Sequence, residues 1–246
     1  MDRLIFTAYS GLNASMVSQR VTANNMANAQ TTGYRADVVQ FTPMTLKGES
    51  LEVRALSDGE VRSASMAQGA VIQTGKPLDI ALGGDALMAV QTAGGPEGYT
   101  RRGDLSVAPS GVLQTGDGHP VIGEGGPITV PLGSAVTIGP DGQVLVRDPA
   151  VPDAPPARID RIKLASAAGT RIEKGLDNVF RVFGGGTLPT DLEARVIPGA
   201  LEQSNVNPSE VLVQMMEDQR LFDIRTKLIA TASELDEGSA ALMRLT

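Results

Sequence analysis

Leu221, Leu228, Leu235 and Leu242 stand at intervals of seven near one end of a 246-residue chain. A strict seven-residue apolar repeat draws one seam down one face of an α-helix, and such a seam leaves water only against another helix. Met215, Phe222, Ile224 and Ile229 flank it. The stretch Asn207-Pro208-Ser209-Glu210 reads as its start. Asn can cap, Pro suits a first turn whose N–H has no partner anyway, and Glu follows three residues after the cap. The expected helix approaches about 35 residues, or roughly 50 Å. Asp223 and Lys227 stand four apart, a spacing that supports a helix on its exposed side.

The opposite end carries the other good helix pattern. From Asp2 to about Ala29 there is no proline, and Ile5, Ala8, Leu12, Met16, Ala23 and Met26 lie close to three-and-four spacing. Gly33 follows as the expected stop. An apolar side chain gains about 1.5–3 kcal/mol on burial, whereas an isolated helix gains little. Pairing of the two terminal helices is therefore expected. Their charges agree, with one acid against three arginines in residues 1–35 and seven acids against four bases in residues 208–246.

Between them the sequence changes in kind. Most of the 28 glycines and 15 prolines interrupt short apolar runs, such as 78–82, 86–90, 128–130, 135–138 and 143–146. Turn residues separate them at Pro109-Ser110-Gly111, Gly116-Asp117-Gly118 and Pro140-Asp141-Gly142. This is the punctuation of β-hairpins. The segment from Asp148 to Pro156, with four prolines, reads as a loop. The fold class is α+β. With 3% aromatic residues and no Trp, the core must be mainly aliphatic.

Several function classes lose their footing. Net charge is −7 and no dense Lys/Arg run occurs, so no nucleic-acid partner is expected. No cysteine and a single histidine leave the common zinc sites unbuildable. No run of about 18 apolar residues offers a membrane span. Met1-Asp2-Arg3 leads into amphipathic sequence, not the apolar core of a cleavable signal. His119 sits between Gly118 and Pro120, where a turn role outweighs general-base chemistry because no nucleophile motif accompanies it. The stretch Gly69–Pro77 is one residue too long for a phosphate loop and puts Pro77 where a hydroxyl should bind magnesium. Neither a catalytic residue nor a cofactor, metal or small-molecule substrate is expected.

Two end motifs then carry a resemblance. Asn24-Asn25-Met26-Ala27-Asn28 followed by Thr32-Gly33-Tyr34-Arg35, and Gly199-Ala200-Leu201-Glu202-Gln203-Ser204-Asn205-Val206-Asn207 before the last helix, resemble the signatures of the flagellar axial proteins, the rod and hook subunits. The opening residues 1–8, Gly98-Tyr99-Thr100-Arg101 and the run 118–131 are most similar to the proximal-rod type. Asp85-Ala86-Leu87-Met88 departs from the paired aromatics of many distal-rod and hook relatives.

The resemblance implies a structural subunit of a hollow drive shaft that transmits torque from motor to hook. It implies export through the type III apparatus without a cleavable signal, and assembly in the periplasm with its own copies and other rod subunits. It implies a discontinuous α-helical inner domain from residues 1–35 and 200–246, an extended linker at 36–75 and a β-rich outer domain at 76–199. Distal-rod or hook subunits, and a β-domain enzyme or binding module, are the alternatives. The expected assembly interface comprises Ile5, Leu12, Met16, Asn24, Asn25, Met26, Asn28, Gly33, Asn205, Asn207, Met215, Leu221, Phe222, Leu228, Ile229, Leu235 and Leu242.

Overall fold

A computed structural model describes residues 2–45, 55–148 and 155–243 of the chain. They divide into two compact units. The first gathers the stretches up to Ala27, 37–63 and from Asn207 onward. Its elements are helix α1 (Asp2–Ala27), strands β1 (Asp37–Thr45) and β2 (Ala55–Ala64), which pair with each other, and helix α2 (Pro208–Met243). Asn207 caps α2 as the sequence predicts, its Oδ1 accepting the Ser209 N–H at 3.1 Å.

The second unit, residues 28–36 and 64–206, is all-β. Strand β3 (Val71–Gln73) and strand β4 (Ile80–Leu82) come first. Strands β5 (Ala86–Gln91) and β6 (Glu97–Thr100) form an antiparallel pair in which Ala89 faces Tyr99. Strand β7 (Leu105–Val107) pairs with β8 (Leu113–Thr115). Then β9 (Ala135–Ile138), β10 (Gln143–Arg147) and β11 (Ala157–Arg161) make a three-stranded sheet in the order β11-β10-β9. Strands β12 (Leu164–Ser166), β13 (Ile172–Lys174) and β14 (Phe180–Val182) join β5 and β6 in a five-stranded sheet ordered β12-β5-β6-β14-β13. Finally β15 (Val196–Pro198) returns to pair with β4, and β16 (Ala200–Glu202) with β3.

The apolar runs match these strands, with one exception. Residues 128–130 make isolated bridges and backbone bonds, Ile128 to Val121 and Val130 to Gly111, without forming a strand. Strand β5 explains its own unbroken apolar sequence. Ala86, Met88 and Val90 enter one aliphatic core with Ile80, Leu113, Ile128 and Leu164, while Leu87 and Ala89 enter another with Tyr99, Phe180 and Leu188. A strand buried on both faces cannot alternate. Tyr99 is seated by polar bonds, its hydroxyl donating to Glu97 at 2.7 Å and accepting from the Leu188 N–H at 2.6 Å. Burial and the Glu97 carboxylate together hold its phenol well above the usual range.

One charged cluster closes this unit. Glu202 accepts Arg35 on Oε1 at 2.7 Å and Arg101 on Oε2 at 2.5 Å, and all three side chains are essentially inaccessible. Oε1 also accepts the Gly69 N–H at 2.9 Å. Arg101 spends its other donors on the carbonyls of Leu82, Gly84 and Ala86, at 2.7, 2.7 and 2.8 Å. Burial pushes the Arg35 guanidinium below its usual range, and the Glu202 charge opposes that. Asn205 completes the closure. Its Oδ1 accepts the Ala36 N–H at 2.8 Å, and its amide donates to the Ser65 and Ala67 carbonyls, each at 2.9 Å. The Lys174 ammonium lies 3.9 Å over the Tyr34 ring and donates to the Arg35 carbonyl at 2.8 Å.

Gly33 corrects the expectation that it stops the first helix. Helix α1 ends at Ala27, six residues earlier. Gly33 instead has φ of 68°, donates its N–H to the Glu202 carbonyl at 2.8 Å, and lies so close to the Arg101 backbone that a Cβ would sit 2.5 Å from that carbonyl. Gly33→Ala should therefore destabilise the chain by more than about 2 kcal/mol, since left-handed backbone and a rigid backbone clash add. Gly118→Ala, at φ 82° with open space around it, should lose only about 1 kcal/mol. Urea midpoints of the two variants check the difference, and equal midpoints would refute the packing role.

Candidate assembly interface

Helices α1 and α2 run antiparallel, and the seam between them is not the leucine repeat. Along α2 the buried and half-buried residues are Val211, Met215, Asp218, Phe222, Arg225, Ile229 and Ala232, alternating four and three apart. Along α1 the facing series is Gly11, Ser15, Ser18 and Thr22, with Ala14 and Val21 beside it. Both series have coiled-coil spacing, but on α1 the residues are small or hydroxylated. Small side chains bring the backbones close, and the hydroxyls then face α2 within bonding reach.

Two ionised side chains of α2 use that closeness. Asp218, only 3% exposed, accepts the Ser18 hydroxyl at 2.9 Å, the Thr22 hydroxyl at 2.8 Å and the Gln214 amide at 3.1 Å. Arg225, two turns on, donates to the Gly11 carbonyl and to the Ser15 hydroxyl. Hydrogen bonds to charged groups are the strong ones, and their positions fix the register of the pair. Ser15, Ser18, Thr22, Asp218 and Arg225 were not among the residues expected from sequence. The signal was present, since hydroxyl residues recur on α1 at three-and-four spacing, but an apolar-periodicity search passes over it.

The leucine repeat points elsewhere. Leu221, Leu228 and Leu235 are 46, 54 and 60% exposed, and Ile224 lies open beside them. The expectation that this repeat seals against the N-terminal helix is thus corrected: the helices pair, but through the stripe one residue further along the turn. Met215, Phe222 and Ile229 belong to that inner stripe. Residues 221, 224, 228 and 235 form a second seam at first and fourth heptad positions, presented outward within the unit.

The remaining expected residues scatter. Leu12 and Met26 are half-buried, Met16 is 54% exposed, and Asn207 is exposed at its cap. The side chains of Ile5 and Leu242 lie outside the described residues. Asn25 is buried, its side chain bonded both ways to the Asp37 backbone at 2.8 and 3.0 Å, while Asn24 donates to the Asp37 carboxylate at 2.7 Å. These amides anchor the first strand to α1. Asn28, Gly33 and Asn205 belong to the β unit, the last two in its closing cluster. His119 lies in the turn after β8, its N–H directed to the Thr115 hydroxyl at 3.3 Å. Among the described residues no cluster of His, Asp or Glu is placed to hold a metal ion, and no helix is long and apolar enough to cross a membrane.

Comparison with known proteins places this geometry. Three family models match in chain order: flagella basal body rod protein over residues 5–35, the flagellar hook protein FlgE/F/G D1 domain over 81–146, and the flagellar basal body rod FlgEFG protein C-terminal region over 197–242. Each matched segment supplies one member of the buried cluster, Arg35, Arg101 and Glu202 respectively. The chain is 40% identical over 246 residues to the flagellar basal-body rod protein FlgF of Salmonella typhimurium, covering 98% of this chain and 97% of that one. It is 32% identical to FlgF of Caulobacter vibrioides, covering 94% and 95%, and 28% identical to FlgG of Bacillus subtilis, covering 96% and 97%. With signatures at both ends and in the β unit agreeing over nearly its whole length, the chain belongs to the family of flagellar basal-body rod proteins.

Proposed function

We propose that the chain is a structural subunit of the proximal part of the flagellar basal-body rod, assembling through its terminal helices into the hollow shaft that carries torque from motor to hook. The observation that carries this reading is the exposed seam Leu221/Ile224/Leu228/Leu235 on a helix whose adjacent stripe is already engaged with α1. Burying each such side chain gains about 1.5–3 kcal/mol, so the seam favours association with further helices. Contacts between unlike faces that do not close generate a helical tube. The helical unit forms the inner wall and the β unit the outer one.

The same reading makes the chain non-catalytic, with its own copies and other rod subunits as partners. It makes the type III export apparatus the route, without a cleavable signal, to a basal body that crosses the periplasm. Stronger similarity to proteins named FlgF than to those named FlgG favours the proximal over the distal or hook type.

The two seams give opposite expectations. Leu228→Asp, introduced into a bacterium lacking its own copy, should abolish swimming and rod assembly. The purified chain's stability should change by no more than about 0.5 kcal/mol, because the site is exposed. A normal swimming halo would refute the outer seam's role. Asp218→Ala should instead destabilise the isolated chain by about 2–4 kcal/mol, because the Ser18 and Thr22 hydroxyls lose a charged acceptor. Urea unfolding followed by far-UV circular dichroism reads that difference, and an unchanged midpoint would show that the inner seam does not depend on it.

A further inference from the structure

We infer that the Arg35–Glu202–Arg101 cluster is a completion latch: the β unit closes only when the segment just ahead of α2 has reached it. Glu202 is bonded to Arg35 and Arg101, which lie 167 and 101 residues earlier in the chain. Both guanidiniums are fully buried. Without an anionic partner neither arginine can leave water, because an unpaired charge in an apolar interior is heavily penalised. Neutral carbonyls satisfy the remaining donors of Arg101 but do not balance its charge.

The latch reaches well beyond the three side chains. Through Glu202, the main chain at Gly33 and Gly69 is tied to the end of β16, and β16 in turn pairs with β3. Through Arg101, the turn between β4 and β5 is held by its carbonyls. Four stretches of sequence, around Arg35, Gly69, Leu82 to Ala86 and Arg101, therefore depend on one carboxylate. The β9–β10 hairpin does not: its register is local, Val144 on Ile138, and it contains no member of the cluster. Local pairings form early, and contacts closing long loops form late. A chain threaded N-terminus first would leave Arg35 and Arg101 unpaired until residue 202 followed. The β unit would thus stay open during passage. That consequence rests on the export route proposed above, whereas the latch itself does not.

Pulse-labelling hydrogen exchange during refolding of the full-length chain tests the latch directly. The amides of Gly33 and Gly69 should gain protection together in one late phase, after those of β9 and β10. Glu202→Gln should slow that late phase roughly tenfold or more while leaving the hairpin phase unchanged. Should Glu202→Gln fail to refold, Glu202→Asp keeps the charge with poorer reach and should slow the same phase selectively. Protection at Gly33 and Gly69 arising no later than in the hairpin would overturn the inference. So would an equal slowing of both phases by either variant.

Discussion

A single buried carboxylate between two buried arginines governs the β unit. Glu202 cannot be exchanged for a neutral residue without stranding Arg35 and Arg101, and removing one partner of a buried pair typically costs about 3–5 kcal/mol. The surrounding backbone is shaped to this demand. Gly33 takes a left-handed conformation so that its amide meets the Glu202 carbonyl, and Asn205 holds the stretches around Ala36 and Ser65. A buried ion cluster is weak evidence for added stability, because apolar side chains of equal volume would avoid the desolvation. Here the cluster joins segments far apart in sequence.

The helical unit solves a different problem with different chemistry. The seam that holds α1 to α2 combines apolar side chains of α2 with directional bonds, Asp218 and Arg225 reaching hydroxyls and a carbonyl on the facing helix. The outward seam is aliphatic. Directional bonds admit one register, while apolar contact depends mainly on buried area and tolerates varied partners.

The aliphatic cores follow from composition. With so few aromatics, Tyr99 and Phe180 serve a small second core around β5, and the larger one is built from Ile, Leu, Val and Met. Short strands joined by tight turns suit such side chains, which fill space from both faces of β5.

Much of this was legible in the residues themselves. Periodicity of three and four fixed both helices nearly to their ends, the Asn207 cap was readable from side-chain chemistry, and turn residues located the hairpins at 109–111, 116–118 and 140–142. The stretches that carry the resemblance contain Arg35, Arg101 and Glu202, but none of the three stood among the expected interface residues. Three dimensions decided the rest. Which of two adjacent heptad stripes faces α1 depends on hydroxyls at Ser18 and Thr22 meeting Asp218, a pairing about 200 residues apart that no local pattern encodes. That Arg35, Arg101 and Glu202 are inaccessible is likewise invisible in sequence, where charged residues read as surface. Local propensity acts over a few residues, but the free energy of burying a charge is set by whatever distant partner the fold brings to it.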